Sequence, residues 1–383
     1  MESFQSVVLG VARNPFSYGS PVADPYFAGR DEELAALISR MTDGINVVVT
    51  APRRYGKTSL LNRAAERVSA GGGSVLRANL LRVPSVDALA GRLATEAYHL
   101  SGGSWRRGAQ AIPEFLKRLR LRPTVTIDDT GRPQFSFAPT VGTRDSEQLI
   151  DDVYRILAEV AVEGPAVLML DEFQAAVDLS PRLPELLKAL SDEHADVSLV
   201  LAGSRRHLME SLVLARGAPL YNMAERLALG PINDSVMRQF LQARADSGGK
   251  SMGDAVAAAI CQQAGPIPHD IQRLAYEVFD LAGRTIGAAD VTAGMDRVVT
   301  HEAEGYADRF SKFALGHRRV LLALAAGQVT QPQSAEFCRA VGYANPGAAG
   351  KAVRVLEQDE TVLQRGELYL VADPFFREWL RRG

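Results

Sequence analysis

The sequence predicts an α/β protein: a parallel sheet flanked by helices, then a run of helices, then a C-terminal unit of three helices and a two-stranded ribbon. Three observations carry this prediction. Apolar, β-branched runs at Val47-Val48-Val49, Ala166 to Leu170 and Val197 to Ala202 read as strands buried on both faces, as in a parallel sheet. The first run leads into Gly56-Lys57-Thr58 and a helix-prone segment, and the second ends in Asp171-Glu172. From about Leu315 the pattern shifts to short helices, closing with two strands around an Arg365-Gly366 turn.

With 383 residues the chain is long enough for two or three domains with full cores. A hydrophobic share of 46% and a charged share of 23% are ordinary for a globular protein. A net charge of −2 gives no global electrostatic case for nucleic acid, so any basic surface must be local. Cys261 and Cys338 lie far apart without metal-type spacing and read as reduced core residues. No apolar run reaches the length of a membrane span, and the N-terminus lacks a basic-then-apolar signal pattern. The expected location is cytoplasmic, with no membrane partner.

In chain order, Arg13 to Val22 is an aromatic, proline-punctuated lead-in, fitting either a loop near a nucleotide base or a packed arm. A helix is expected from Asp31, which can cap it. The segment Ala51-Pro52-Arg53-Arg54-Tyr55-Gly56-Lys57-Thr58-Ser59 nearly matches GxxxxGK[ST], the phosphate-cradling loop, with Ala51 in place of the first glycine. Gly56 permits a tight turn close to phosphate, and the following amides open a helix whose N-terminus favours an anion. Lys57 is expected to reach the β- and γ-phosphates and Thr58 to hold Mg²⁺. A helix to Val68, a strand over Ser74 to Leu80 and a helix over Ser85 to Leu100 follow. Ser101 to Thr143 reads as a locally basic insertion with a hairpin around Asp128 to Gly131.

Ser146 to Val162 reads as an amphipathic helix. Asp171 and Glu172 then close a strand at the carboxyl edge of the sheet, where ligands bind. Asp171 is expected to position the Mg²⁺ shell and Glu172 to act as general base on the attacking water. Ser180, with Pro181 in the first turn, is expected to cap a further helix. At the end of the strand beginning at Val197, Ser204 is expected to sense the γ-phosphate, and Arg205 and Arg206 face either phosphate or solvent. No Asn-Lys-x-Asp pattern for guanine occurs, which favours ATP over GTP.

The lead-in, the Ala51 to Ser59 loop, Leu170-Asp171-Glu172-Phe173-Gln174 and Leu201-Ala202-Gly203-Ser204 together resemble the archaeal-type P-loop ATPase family, related to the STAND and AAA+ proteins. The resemblance implies an Mg²⁺-dependent ATPase core, a helical lid and a winged helix-turn-helix. Members carry Pro-Leu-Tyr-Gly-Arg after the third motif; here Pro219-Leu220-Tyr221-Asn222-Met223 lacks the arginine, and Arg226 is the candidate substitute for γ-phosphate contact. Gly265 to Gln272 resembles a family proline turn, implying nucleotide contact by Pro268, with His269 the second choice. Asp373-Pro374-Phe375-Phe376-Arg377-Glu378-Trp379-Leu380 resembles the family's C-terminal signature.

The expected organisation is a P-loop core over 1–230 with the insertion at 101–143, a helical lid over 231–304, and a winged helix over 305–383. On the third winged-helix segment Lys351 and Arg354 are candidate phosphate contacts for duplex DNA, with Arg365 at the wing tip. Gly347, Ala348 and Gly350 leave that helix poorly armed to read bases. The first expectation is an ATP-hydrolysing, nucleotide-controlled switch, with a DNA, protein-client or homo-oligomeric partner. The alternatives are an origin-recognition-like or transposition-type loader on DNA, and a partner-binding module that keeps ATP as a structural ligand.

Overall fold

The computed structural model describes residues 14–100, 121–127, 133–139, 146–204 and 206–383. The chain divides into two compact units: Arg30–Gly230, and Pro231–Gly383 together with the N-terminal stretch ending at Gly29.

The first unit runs α1 (Asp31–Thr42), β1 (Val47–Thr50), α2 (Lys57–Ala70), β2 (Ser74–Asn79), α3 (Val86–Leu100), β3 (Leu121–Ile127), β4 (Pro133–Pro139), α4 (Ser146–Val160), β5 (Ala166–Asp171), α5 (Leu183–Glu193), β6 (Val197–Gly203) and β7 (Glu225–Ala228). Five strands form one sheet in the order β2-β5-β6-β1-β7, and every pairing is parallel. The strands β1, β5 and β6 are buried along their whole length, which is why their sequences are continuous apolar runs. Val49 pairs with Ala202, and Leu170 with Leu201, so these three strands finish level at one carboxyl rim. At the opposite rim Asn46 fastens the sheet. Its amide donates to Ser191 Oγ at 2.8 Å and to Met223 O at 3.2 Å, and its Oδ1 accepts from Leu199 N at 2.8 Å.

β7 has no strand signature, because Glu225-Arg226-Leu227-Ala228 is an edge segment with mostly exposed side chains and little β-branching. Its partner β1 supplies the order, and the ladder extends through Leu229 N to Thr50 O at 2.8 Å. In the insertion β3 and β4 pair antiparallel, Leu121 with Pro139 through Ile127 with Pro133. The expected turn residues and Arg106, Arg107, Arg118 and Arg120 lie outside the described residues.

Two cap expectations are corrected. Asp31 is the first helical residue of α1, not its cap; Arg30 holds the cap position in a left-handed conformation with φ 70°. Ser180 does not cap α5, which starts at Leu183 with Pro184 in its first turn. The Ser180 hydroxyl instead accepts from Arg182 N at 3.2 Å in the preceding turn.

The second unit contains α6 (Asp234–Ser247), β8 (Ser251–Met252), α7 (Asp254–Ala264), α8 (Pro268–Leu281), β9 (Thr285–Ile286), α9 (Ala288–Ser311), α10 (Leu315–Ala326), α11 (Ala335–Val341), α12 (Pro346–Gln358), β10 (Val362–Arg365), β11 (Leu368–Val371) and α13 (Pro374–Arg382). One apolar core joins these helices. The lead-in packs on them as an arm. Asn14 Nδ2 donates to Tyr276 O at 2.9 Å, Arg244 Nε donates to Pro15 O at 2.8 Å, and Phe16 meets the Phe279 ring edge-on. The 24-residue α9 runs unbroken through residue 304. Its start was signalled only by Asp290, whose carboxylate accepts from Gly287 N at 2.7 Å.

Helices α10 to α12 with the β10–β11 ribbon form a winged helix, and side-chain caps open α11, α12 and the closing α13. Ser334 accepts from Phe337 N at 3.1 Å, Asn345 from Ala348 N at 2.9 Å, and Asp373 from Phe375 N at 2.9 Å. Cys261 and Cys338 are both buried and free. No described helix is long and apolar enough to cross a membrane.

Candidate nucleotide site

The carboxyl rim of the sheet gathers three segments: the loop after β1 with the start of α2, the stretch after β5, and the residue after β6. The loop after β1 runs from Ala51 to Gly56 and delivers Lys57 and Thr58 on the first turn of α2. Gly56 has φ 84° in the left-handed region, as the tight turn requires. Arg54 also has φ 69°, an unusual conformation for a residue with a side chain. Pro52, Arg53 and Arg54 are exposed, while Ala51, Tyr55, Lys57 and Ser59 are buried.

β6 lies between the strand that leads into this loop and the strand that carries Asp171. Lys57 spans that separation: its ammonium is hydrogen-bonded to Asp171 Oδ1 and sits 3.3 Å from Glu172 Oε1. Thr58 Oγ1 donates to Asp171 Oδ2 at 2.9 Å, and Glu172 N donates to Asp171 Oδ1 at 2.8 Å. Lys57 is only 6% exposed, so its charge requires these carboxylates.

Glu172 itself has φ 55°, left-handed. Its Oε2 accepts from Ser204 Oγ at 3.1 Å and from the Gln174 side-chain amide. Burial alone would push the Glu172 carboxyl up; the Lys57 ammonium and the bonds from Gln174, Lys57 and Ser204 outweigh it and hold the group below the usual glutamate value. Gln174 is a site residue that sequence reasoning missed. Its seat depends on Gly203, since a Cβ there would lie 2.7 Å from Gln174 Oε1 and 2.6 Å from Met209 Cγ. The signal was present in Asp171-Glu172-Phe173-Gln174 but carried no role until the backbone folded Gln174 back onto Glu172.

The structure thus brings together Lys57, Thr58, Asp171, Glu172 and Ser204. Arg226 is exposed on β7 beside Val48, two residues before the pair of Ala228 with Thr50 that ends the strand. Asn222, where the resembling family has glycine, has φ 59°, so asparagine keeps the left-handed turn. Met223, in place of the arginine, is half-buried and packs on the core. Pro268 opens α8 in the other unit, and His269 Nδ1 lies 2.9 Å from Asp270 Oδ1. Arg205 and the Arg206 side chain lie outside what is described.

Thr58 and Asp171 offer oxygen donors, the type Mg²⁺ requires. One hydroxyl and one carboxylate suit an ion that keeps waters and takes phosphate oxygens. Among the described residues no group of three or more His, Cys, Asp or Glu could hold a metal ion by itself. The donor set therefore fits an Mg²⁺–nucleotide complex.

Residues 40–212 match the family described as "AAA domain", and residues 304–382 match "Probable winged helix domain". No curated protein matches the sequence. The Walker-type ATPase of Pyrococcus abyssi is similar in structure, with a TM-score of 0.66, 14% identity, 96% of this chain and 99% of that chain covered. The Aeropyrum pernix ORC2 protein, in its ADPNP–ADP complexes, is similar with a TM-score of 0.56 at 14% identity, covering 97% of each chain. At that identity the likeness speaks to the fold. The chain carries an AAA-type P-loop ATPase domain followed by a winged helix domain, an arrangement consistent with the archaeal-type P-loop ATPases.

Proposed function

We propose that the protein binds and slowly hydrolyses ATP with Mg²⁺ at the rim of the core sheet, and that it serves as a nucleotide-controlled switch whose winged helix meets duplex DNA. The observation that carries the first part is the convergence of Lys57, Thr58, Asp171, Glu172 and Ser204 on one rim. Bound Mg²⁺ supplies neutralising charge on the phosphate oxygens. Lys57 exchanges its carboxylate partners for the β- and γ-phosphates, while Thr58 and Asp171 hold the metal. Glu172, ionised at neutral pH, orients and deprotonates the attacking water. Ser204 and Gln174 keep its carboxylate aimed. Arg226 remains the candidate arginine, acting within the chain or on a neighbouring copy.

Lys351 and Arg354 are exposed, three residues apart and so on one face of α12, and exposed Arg365 ends β10 in the wing. The deciding experiment is phosphate release by the purified protein, with and without duplex DNA, beside Glu172→Gln. DNA-stimulated turnover that Glu172→Gln abolishes supports the full reading. Turnover indifferent to DNA moves the winged helix to a protein partner. Bound ATP without turnover leaves the nucleotide as a structural ligand.

A further inference from the structure

Arg30 is the first residue of the nucleotide-binding unit and Gly230 the last, so the chain crosses between units at Gly29–Arg30 and at Gly230–Pro231. One guanidinium joins these crossings to the phosphate loop. Arg30 Nη2 donates to Gly230 O at 2.5 Å and to Tyr55 O at 3.3 Å, and Nη1 is anchored on Glu33 Oε1 at 2.7 Å. The Arg30 side chain is 4% exposed, so its charge is committed to these acceptors. Its backbone is left-handed, with φ 70°, a conformation that disfavours any residue with a Cβ. Strained backbone gathers at functional sites, and here Arg30, Arg54 and Glu172 are three of the five non-glycine residues with positive φ among the described residues.

The peptide plane gives the contact its meaning. In a trans peptide the N–H points opposite to the C=O. Holding Tyr55 O against Arg30 therefore aims the Gly56 N–H to the other side of the loop. Resting on the phosphate-loop reading, we propose that Arg30 is a positioning residue with two duties. It orients the Tyr55–Gly56 peptide to bind phosphate, and it passes the state of that peptide to both chain crossings through Gly230. A phosphate that draws the Gly56 N–H turns the Tyr55 carbonyl against Nη2, which also holds Gly230. The segment after β7 then responds, because Leu229 N hangs on Thr50 O at 2.8 Å.

Hydrogen–deuterium exchange on the full chain tests this, in peptides covering 53–59 and 225–231, with and without Mg-ATP. In the parent, Mg-ATP is expected to change exchange in both peptides. Arg30→Lys keeps the charge and loses the fork. It is expected to bind Mg-ATP about tenfold more weakly and to lose the ATP-linked change in 225–231. An affinity within about twofold of the parent, or an unchanged response in 225–231, overturns the proposal. Should Arg30→Lys fail to fold, Glu33→Ala removes the anchor on Nη1 and is read the same way, with a smaller change in both signals; no change in either overturns the proposal. Should the parent bind no nucleotide, the phosphate-loop reading fails and the apo proteins still decide the positioning claim. Faster exchange in both peptides of the apo variant supports the link, and faster exchange in one alone or in neither refutes it.

Discussion

Cations do opposite things at the rim of the core sheet and on the winged helix. At the rim, Lys57 is almost fully buried and bonded to two carboxylates, which are themselves bonded to Thr58, Gln174 and Ser204. On the winged helix, Lys351, Arg354 and Arg365 are exposed, and none forms an ion pair with a described residue. A buried charge must have each neighbour in place, so its surroundings define one chemistry. An exposed cation commits only to a polyanion, through counterion release, and leaves the sequence or identity of that partner open. The difference sets how narrowly each end of the chain defines what it binds.

The sharpest way to break the comparison is at Glu172. Glu172→Gln is expected to lower turnover at least a hundredfold while ATP affinity stays within about twofold. Phosphate release with a parallel binding titration checks both, and retained turnover would show that Glu172 is not the base. Lys57→Ala removes the cation that the carboxylates surround. A loss of about a hundredfold in Mg-ATP affinity is expected from charge-assisted contacts to phosphate. Gly203→Ala forces a Cβ onto Gln174 and Met209 and should destabilise the unit by about 1–3 kcal/mol in urea unfolding. Wild-type stability there would mean that Gln174 is loosely held.

At the exposed end, replacing Lys351, Arg354 and Arg365 together by alanine should flatten the slope of log affinity for duplex DNA against log salt by about 0.9 per lost phosphate contact. An unchanged slope would remove the winged helix from DNA. The smallest effect concerns acid. Because the folded state holds Glu172 below its ordinary value, its stabilising contribution is present at neutral pH and is lost as pH falls through and below the ordinary glutamate range. Stability measured from about pH 7 to about pH 3 should therefore fall more in the parent than in Glu172→Gln.

Much of this was legible in the sequence where the signal is local. The β1 run with its phosphate loop and the Asp171-Glu172 strand end each announce themselves within a few residues. What stayed hidden depends on distant backbone. β7 is a strand only because β1 lies beside it. Arg30 donates to two carbonyls, one 25 and one 200 residues away, and a carbonyl leaves no mark in the sequence. The lead-in's contacts run from Asn14 and Phe16 to α8, more than 260 residues away, where no local pattern announces them.

The left-handed backbone at Glu172 has a bearing on how such a chain drifts. Glycine or asparagine is at ease in that conformation, and glutamate is not. If Glu172→Gln proves to abolish turnover, this position sets activity against backbone comfort. A lineage released from the need to hydrolyse ATP would meet little resistance to replacing the glutamate, since Lys57 keeps Asp171 as a partner. Among descendants with the loop intact, the residue at this one position would then separate those that still turn over from those that only hold nucleotide.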